Sequence, residues 1–199
     1  MTDILYTYKN QVYVNITNHC NCACTFCIRG VQDTVGDATN MWFEQDPTLE
    51  EIKSAIDAFD FTNYEELVYC GYGEPTCALD RVLDSARYAK EKLGIRTRLN
   101  TNGLGNLQHG RDVIPELAQV IDSVSISLNA PTAEKYQAVT RPRFENGFEG
   151  MLAFAKEAQE IFEHAQLTIV DVLPEEEIAA CQQLADDMGI HLKIRKFSE

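Results

Sequence analysis

The sequence is short of basic residues, of proline and glycine, and of long apolar runs, and each shortage argues against a class of protein. Lys and Arg number 17 against 31 Asp and Glu, a formal net charge of −14 over 199 residues. A surface that binds nucleic acid in bulk needs many phosphate-neutralising cations, so the charge balance argues against that role, though a local basic pocket or a single nucleotide as ligand stays open. Eleven Gly and six Pro beside 45% apolar residues argue against collagen, low-complexity linkers and global disorder. No apolar run approaches the roughly 18 residues of a membrane span, so no membrane partner is expected. Met1 to Tyr8 is polar and lacks the apolar centre of a secretory signal, so the cytoplasm is the expected compartment. The dinucleotide glycine fingerprint and the phosphate-cradling Gly-Lys-Ser/Thr are both missing, which counts against the common nucleotide-binding sheets. The length predicts one domain over residues 1–199 with a substantial core.

Cysteine is what the sequence has in excess. Seven cysteines in a chain too large to need disulfide staples do not form a disulfide framework. Cys20, Cys22, Cys24 and Cys27 fall within eight residues; Cys70, Cys77 and Cys181 are scattered. Cys20, Cys24 and Cys27 are separated by three and then two residues. Three thiolates on a short loop can bind a soft metal or an iron–sulfur cluster. A structural zinc site usually adds a second pair of ligands, and none stands here at convincing spacing. His19 and Cys22 would complete a zinc site only if the loop doubled back tightly. Catalytic redox thiols are a third alternative. The favoured reading is a three-cysteine [4Fe–4S] cluster with one iron open to another ligand, Cys22 being a bystander that faces away or fills space. Cys70 and Cys77 flank a later turn without resembling a second cluster motif, and Cys181 reads as a small core residue on a helix face.

The chain alternates strand and helix. Strands are expected at Val12–Ile16, Leu67–Tyr69, Ile95–Leu99, Ser123–Leu128, Leu167–Val172 and His191–Arg195. Asp46-Pro47 is expected to cap a helix whose apolar stripe is Leu49, Ile52, Ile56 and Phe59. Further helices are expected from Leu79 to Leu93 with Gly94 as stop, around Val113–Val120, from Ala133 after a Thr132 cap, from Gly147 to Phe162, and after Pro174 with an acidic first turn. The long loop from Ile28 to Gln45, with Arg29, Asn40 and Trp42, is a candidate cover for a substrate. Repeated strand–helix units imply an α/β fold, a six-stranded parallel sheet with helices outside. Polar or glycine-rich strand ends favour an open partial (β/α)6 TIM-like barrel over a flat doubly wound sheet, because a barrel gathers strand ends at one site.

Cys20-x-x-x-Cys24-x-Phe26-Cys27, followed after the second strand by Gly71-Tyr72-Gly73-Glu74-Pro75, resembles the radical S-adenosylmethionine (radical SAM) superfamily. Tyr72 departs from the commonest glycine of the family's Gly-Gly-Glu-Pro motif. The resemblance covers essentially the whole chain. Val14-Asn15-Ile16-Thr17-Asn18, Leu128-Asn129-Ala130-Pro131 and Arg141-Pro142-Arg143-Phe144 are similar to its short TatD-associated branch.

The resemblance implies one [4Fe–4S] cluster on Cys20, Cys24 and Cys27, with the amino and carboxylate groups of SAM on the fourth iron. It implies reductive cleavage of SAM to methionine and a 5′-deoxyadenosyl radical that abstracts hydrogen from a substrate. Gly71, Tyr72, Gly73 and Glu74 would meet the SAM amino group, through carbonyls or with Glu74 fixing the turn, and Phe26 would pack beside adenine. Ser125, Ser127 and Asn129 share one strand face, and Ser127 and Asn129 are expected near SAM, as are Asn100 and Asn102. Arg143 is the expected partner of the SAM carboxylate, with Arg141 as its rival; Arg195 is a candidate for a bound anion. A reductant such as flavodoxin or ferredoxin and a TatD-like hydrolase are the implied protein partners. No auxiliary cluster is expected beyond the sixth expected strand. Three functions are distinguishable: an enzyme acting on a small molecule, by substrate-dependent 5′-deoxyadenosine; an activase or maturase acting on a peptide or protein, by a changed macromolecule; and a nonenzymatic iron–sulfur or zinc module, by metal uptake without SAM cleavage.

Overall fold

A computed structural model describes residues 3–197. Met1 and Thr2, the start of the polar N-terminal stretch, lie outside the described residues. The chain divides into two compact units: the first takes the chain up to Cys20, residues 28–100 and residues 116–122, and the second takes residues 21–27, 101–115 and 123 onward.

In the first unit β1 (Leu5–Tyr8) and β2 (Gln11–Val14) form an antiparallel hairpin with Tyr8 opposite Gln11. Lys9 and Asn10 between them take φ of 47° and 59°, as a two-residue type I′ turn requires. β3 (Glu66–Tyr69) runs parallel to β2, and β4 (Arg96–Thr101) parallel to β3. Leu67, Val68 and Tyr69 are all fully buried, the continuous apolar run of a parallel strand rather than an alternating one. α1 (Leu49–Ala58) buries Ile52 and Ile56, and α2 (Leu79–Leu93) buries Leu79, Val82, Ala86 and Ala89 and stops at Gly94 in the left-handed region. The hydroxyls of Tyr69 and Ser85 join β3 to α2 at 2.9 Å.

The second unit carries β5 (Ser123–Ser127), β6 (His164–Val170) and β7 (His191–Arg195), parallel and adjacent in that order. Its helices are α3 (Gly105–His109), α5 (Ala133–Thr140), α6 (Gly147–Ile161) and α7 (Glu175–Met188). A single turn, α4 (Ile114–Leu117), lies where the chain passes between the units. Thr132 caps α5 by accepting the Lys135 N–H, and Gly189 ends α7. Cys181 is fully buried on α7, and burial pushes its thiol up to about 11, as a core residue requires.

The fold is therefore α/β with mostly parallel strands, but it has seven strands among the described residues rather than six. The extra one is β1, which pairs antiparallel. Three further expectations are corrected. The α1 cap is Thr48, whose side chain accepts the Glu51 N–H while Glu51 reaches back to the Thr48 N–H, and Asp46 is occupied elsewhere. The helix expected at Val113–Val120 shrinks to the single turn α4, and α3 forms earlier, after Gly103. β6 starts at His164 instead of Leu167 because its pairing with β5 begins at Ser123 opposite His164; Val172, placed in the strand by its sequence, lies beyond it and is 45% exposed.

Candidate active site

In the first unit, residues 15–19 leave β2 and lead to the exposed Cys20. The turn after β3 packs against this segment: the Glu74 N–H donates to the His19 carbonyl at 2.8 Å. A Cβ on Gly73 would stand 2.3 Å from the Thr17 carbonyl oxygen and 2.6 Å from that of His19. One on Gly71 would stand 2.2 Å from the Asn15 side-chain oxygen. Both glycines are thus fixed by close backbone approach rather than by a positive φ.

Glu74 is buried, and its Oε1 accepts the Thr76 N–H at 3.1 Å and the Thr76 hydroxyl at 2.7 Å. The carboxylate therefore caps the short turn Pro75–Ala78. Tyr72 turns its side chain into a cluster with Tyr6, Ala38 and Met41, and its hydroxyl donates to the Gln32 carbonyl at 2.6 Å. Any role of Tyr72 toward a cofactor is thereby limited to its backbone.

Asp46 anchors the approach to Cys20. It accepts the Thr17 hydroxyl at 2.6 Å, the Asn18 N–H at 3.1 Å and Arg81 at 2.9 Å. Burial alone would raise its carboxyl, but the hydrogen bonds from Thr17, Asn18 and Arg81 outweigh it and hold the carboxyl below the usual aspartate value. The Asp-Pro pair masks this role in the sequence by imitating a helix start. Asn100, near the end of β4, buries a side-chain oxygen that has no hydrogen-bond partner.

In the second unit, residues 21–27 are laced to the end of α5. Ala23 N–H donates to the Thr140 carbonyl at 3.0 Å, Thr25 N–H to that of Val139 at 2.8 Å, and Arg143 N–H to that of Asn21 at 2.8 Å. Cys22 is buried, its backbone forms an isolated bridge with Pro142, and its Sγ accepts from the Asn102 amide at 3.5 Å. Cys24 and Cys27 are half-buried, as is Phe26. Asn102 donates to the Asn21 side chain at 2.5 Å and accepts the Leu104 N–H at 3.0 Å, so its amide serves the protein itself. Ser125 accepts from Gln166 at 2.7 Å, while Ser127 is half-buried. Asn129 has φ of 58°, is buried, and its side-chain oxygen has no partner. Arg143 and Arg195 are exposed.

All seven cysteines are thiols outside any disulfide. Among the described residues no three His, Cys, Asp or Glu side chains stand grouped as ligands of a single metal ion. The donor set of Cys20, Cys24 and Cys27 is chemically suited to iron–sulfur ligation. The orphaned oxygens of Asn100 and Asn129 are suited to a polar organic ligand, since a buried acceptor without a partner is costly.

These features give the first unit an exposed Cys20 next to a segment bonded to a glycine–glutamate turn, and the second unit the half-buried Cys24 and Cys27. Residues 14–188 match the profile of the Radical SAM superfamily, and the chain belongs to that superfamily. Its members are enzymes that use a [4Fe–4S] cluster and SAM. A candidate glycyl-radical enzyme activating enzyme of Methanocaldococcus jannaschii is 38% identical over 104 residues, which span 51% of this chain and 38% of that protein. Streptococcus suis SuiB bound to its precursor peptide SuiA is similar in fold, with TM-score 0.70 and 17% identity over 94% of this chain and 39% of SuiB. Methylornithine synthase (PylB) gives TM-score 0.65 and 13% identity over 93% of this chain and 52% of that enzyme. The chain thus covers about half or less of the length of these relatives. No helix among the described residues is long and apolar enough to cross a membrane.

Proposed function

We propose that residues 1–199 act as one radical SAM core domain, an open partial barrel in which Cys20, Cys24 and Cys27 hold a [4Fe–4S] cluster. The observation that carries this reading is the thiol triad on a segment whose start is bonded, through His19, to the Gly71–Glu74 turn. When bound, the reduced cluster and SAM supply cleavage of the sulfonium to methionine and a 5′-deoxyadenosyl radical, which takes a hydrogen atom from substrate. Carbonyls of Gly71 to Gly73 accept from the SAM amino group, and Glu74 holds their turn in shape. Asn100 and Asn129 offer their unpartnered oxygens to SAM hydroxyl or amino groups, with Ser127 beside Asn129 in sequence. Phe26 packs beside adenine, and Arg143 pairs with the carboxylate, where its guanidinium can bind bidentately. Asn102 acts by fixing Asn21.

The substrate in this reading is a small molecule. A second reading, hydrogen abstraction from a peptide or protein, is favoured by the 38% identity to a protein named for glycyl-radical activation. A flavodoxin or ferredoxin supplies the electron. The Val14–Asn18 and Arg141–Phe144 motifs support the TatD-associated branch, with a TatD-like hydrolase as partner and the cytoplasm, which keeps thiols reduced, as compartment. Anaerobic reconstitution tests the site: about four irons and four sulfides per chain, with an electron paramagnetic resonance (EPR) signal that changes when SAM is added, are expected. A single tightly held zinc with no iron–sulfur spectrum contradicts it.

A further inference from the structure

The Val14–Asn18 motif holds a residue that cluster ligation does not use. Asn15 is fully buried. Its Oδ1 accepts the Tyr72 N–H at 3.2 Å and its Nδ2 donates to the Met41 carbonyl at 2.8 Å. Only one orientation of the amide satisfies both partners, because oxygen must face the N–H and nitrogen the carbonyl. The same Oδ1 is what a Cβ at position 71 would strike. One planar group therefore joins the Gly71–Glu74 turn to the long loop before α1.

The loop meets the turn again through Tyr72, whose hydroxyl reaches the Gln32 carbonyl and whose ring stands edge-on to Trp42 at 5.0 Å. Asn18, three residues later, also reaches the loop, donating to the Phe43 carbonyl at 2.7 Å and accepting the Phe43 N–H at 3.3 Å. The far side of the loop is tied down by Asp3, which accepts from Thr39 and Asn40, and by Asp37, which accepts from Thr7. The loop is thus strapped on its outer side by exposed bonds and on its inner side by a buried one. Buried bonds are the costlier to lose.

We infer that Asn15 is a positioning residue that couples the loop of residues 31–45 to the Gly71–Glu74 turn, so that SAM binding at the turn and ordering of the loop favour each other. The inference rests on the radical SAM reading of the turn. The coupling is reciprocal: whatever SAM gains from an ordered loop, the loop gains from bound SAM.

The test uses the anaerobically reconstituted full chain with SAM as probe. Three quantities are read: iron content, the SAM dissociation constant from the EPR change, and the rate of limited proteolysis within residues 31–45. Asn15→Asp keeps an acceptor for the Tyr72 N–H and sets a carboxylate against the Met41 carbonyl. It is expected to keep its iron, to be cut faster in the loop without SAM, to bind SAM about tenfold more weakly, and to lose the protection that SAM gives the wild-type loop. Where Asn15→Asp does not fold, Asn15→Ser, whose hydroxyl can both donate and accept, is read in the same way. Iron-loaded variants with unchanged SAM affinity, or a loosened loop without any loss of SAM affinity, overturn the coupling. A wild-type cluster whose EPR signal ignores SAM overturns the reading of the site itself, and is distinguished by failing before any variant is compared.

Discussion

Replacing Glu74 separates two roles that the motif alone confounds. In the structure the carboxylate accepts the Thr76 N–H and hydroxyl, and Thr76 is fully buried. Glu74→Ala removes the cap by leaving the buried Thr76 N–H without its acceptor, a single loss of about 1–3 kcal/mol. That loss lowers the melting temperature by roughly 2–12 °C in a chain of this size. A loosened turn also misplaces the carbonyls offered to SAM, so SAM affinity falls with stability. Glu74→Gln keeps an amide oxygen where Oε1 stands and removes only the charge. If Glu74 acts by shaping the turn, the glutamine variant stays close to wild type in both melting temperature and SAM affinity. The assay is thermal unfolding of the cluster-loaded protein beside a SAM titration under anaerobic conditions. A glutamine variant that melts like wild type but loses as much SAM affinity as the alanine variant refutes the capping argument and assigns the carboxylate to SAM directly.

Other substitutions read other parts of the account. Serine at Cys20, Cys24 or Cys27 is expected to abolish the iron–sulfur absorbance, while Cys22→Ala keeps it and loses about 1 kcal/mol of stability from its buried contact; iron loss in Cys22→Ala counts against the assigned triad. Asn129→Gly relieves a positive φ of 58° and removes an unpartnered buried oxygen, so unfolding by urea should show no loss of stability while SAM affinity drops; a marked loss of stability contradicts the ligand role. The depressed Asp46 carboxyl makes its contribution complete above the unfolded carboxyl value, near pH 4, and lost as pH falls through the lower folded value. The urea midpoint of Asp46→Asn should therefore fall short of wild type at pH 6 and converge with it toward pH 3; a constant gap across that range removes Asp46 from the acid response.

Much of this architecture is legible in the residues, and what is not has physical causes. Six strands are marked by β-branched and apolar runs, and Gly94 and Gly189 mark helix ends through their left-handed φ. β1 escapes because its hairpin turn is Lys9-Asn10, which adopts the type I′ geometry without the glycine that usually announces it. The α1 cap is misread because two capping residues, Asp46 and Thr48, stand on either side of Pro47, and the tertiary bonds of Asp46 to Thr17, Asn18 and Arg81 decide between them. The cysteine spacing and the Gly-Glu turn are legible as chemistry. What local pattern cannot convey is which polar groups are satisfied internally: Asn102 is spent on Asn21 and Leu104, whereas Asn100 and Asn129 keep unpartnered oxygens. The same blindness hides Asn15, whose two partners lie 26 and 57 residues away.

Reductive SAM cleavage is the most direct test of the central claim, and it needs no substrate. Cluster-loaded protein under strong anaerobic reductant should slowly convert SAM to methionine and 5′-deoxyadenosine, quantified by mass spectrometry. The conversion should vanish when any of Cys20, Cys24 or Cys27 is replaced and persist when Cys22 is replaced. Wild-type protein that holds a reduced [4Fe–4S] cluster and bound SAM yet forms no 5′-deoxyadenosine would contradict the account.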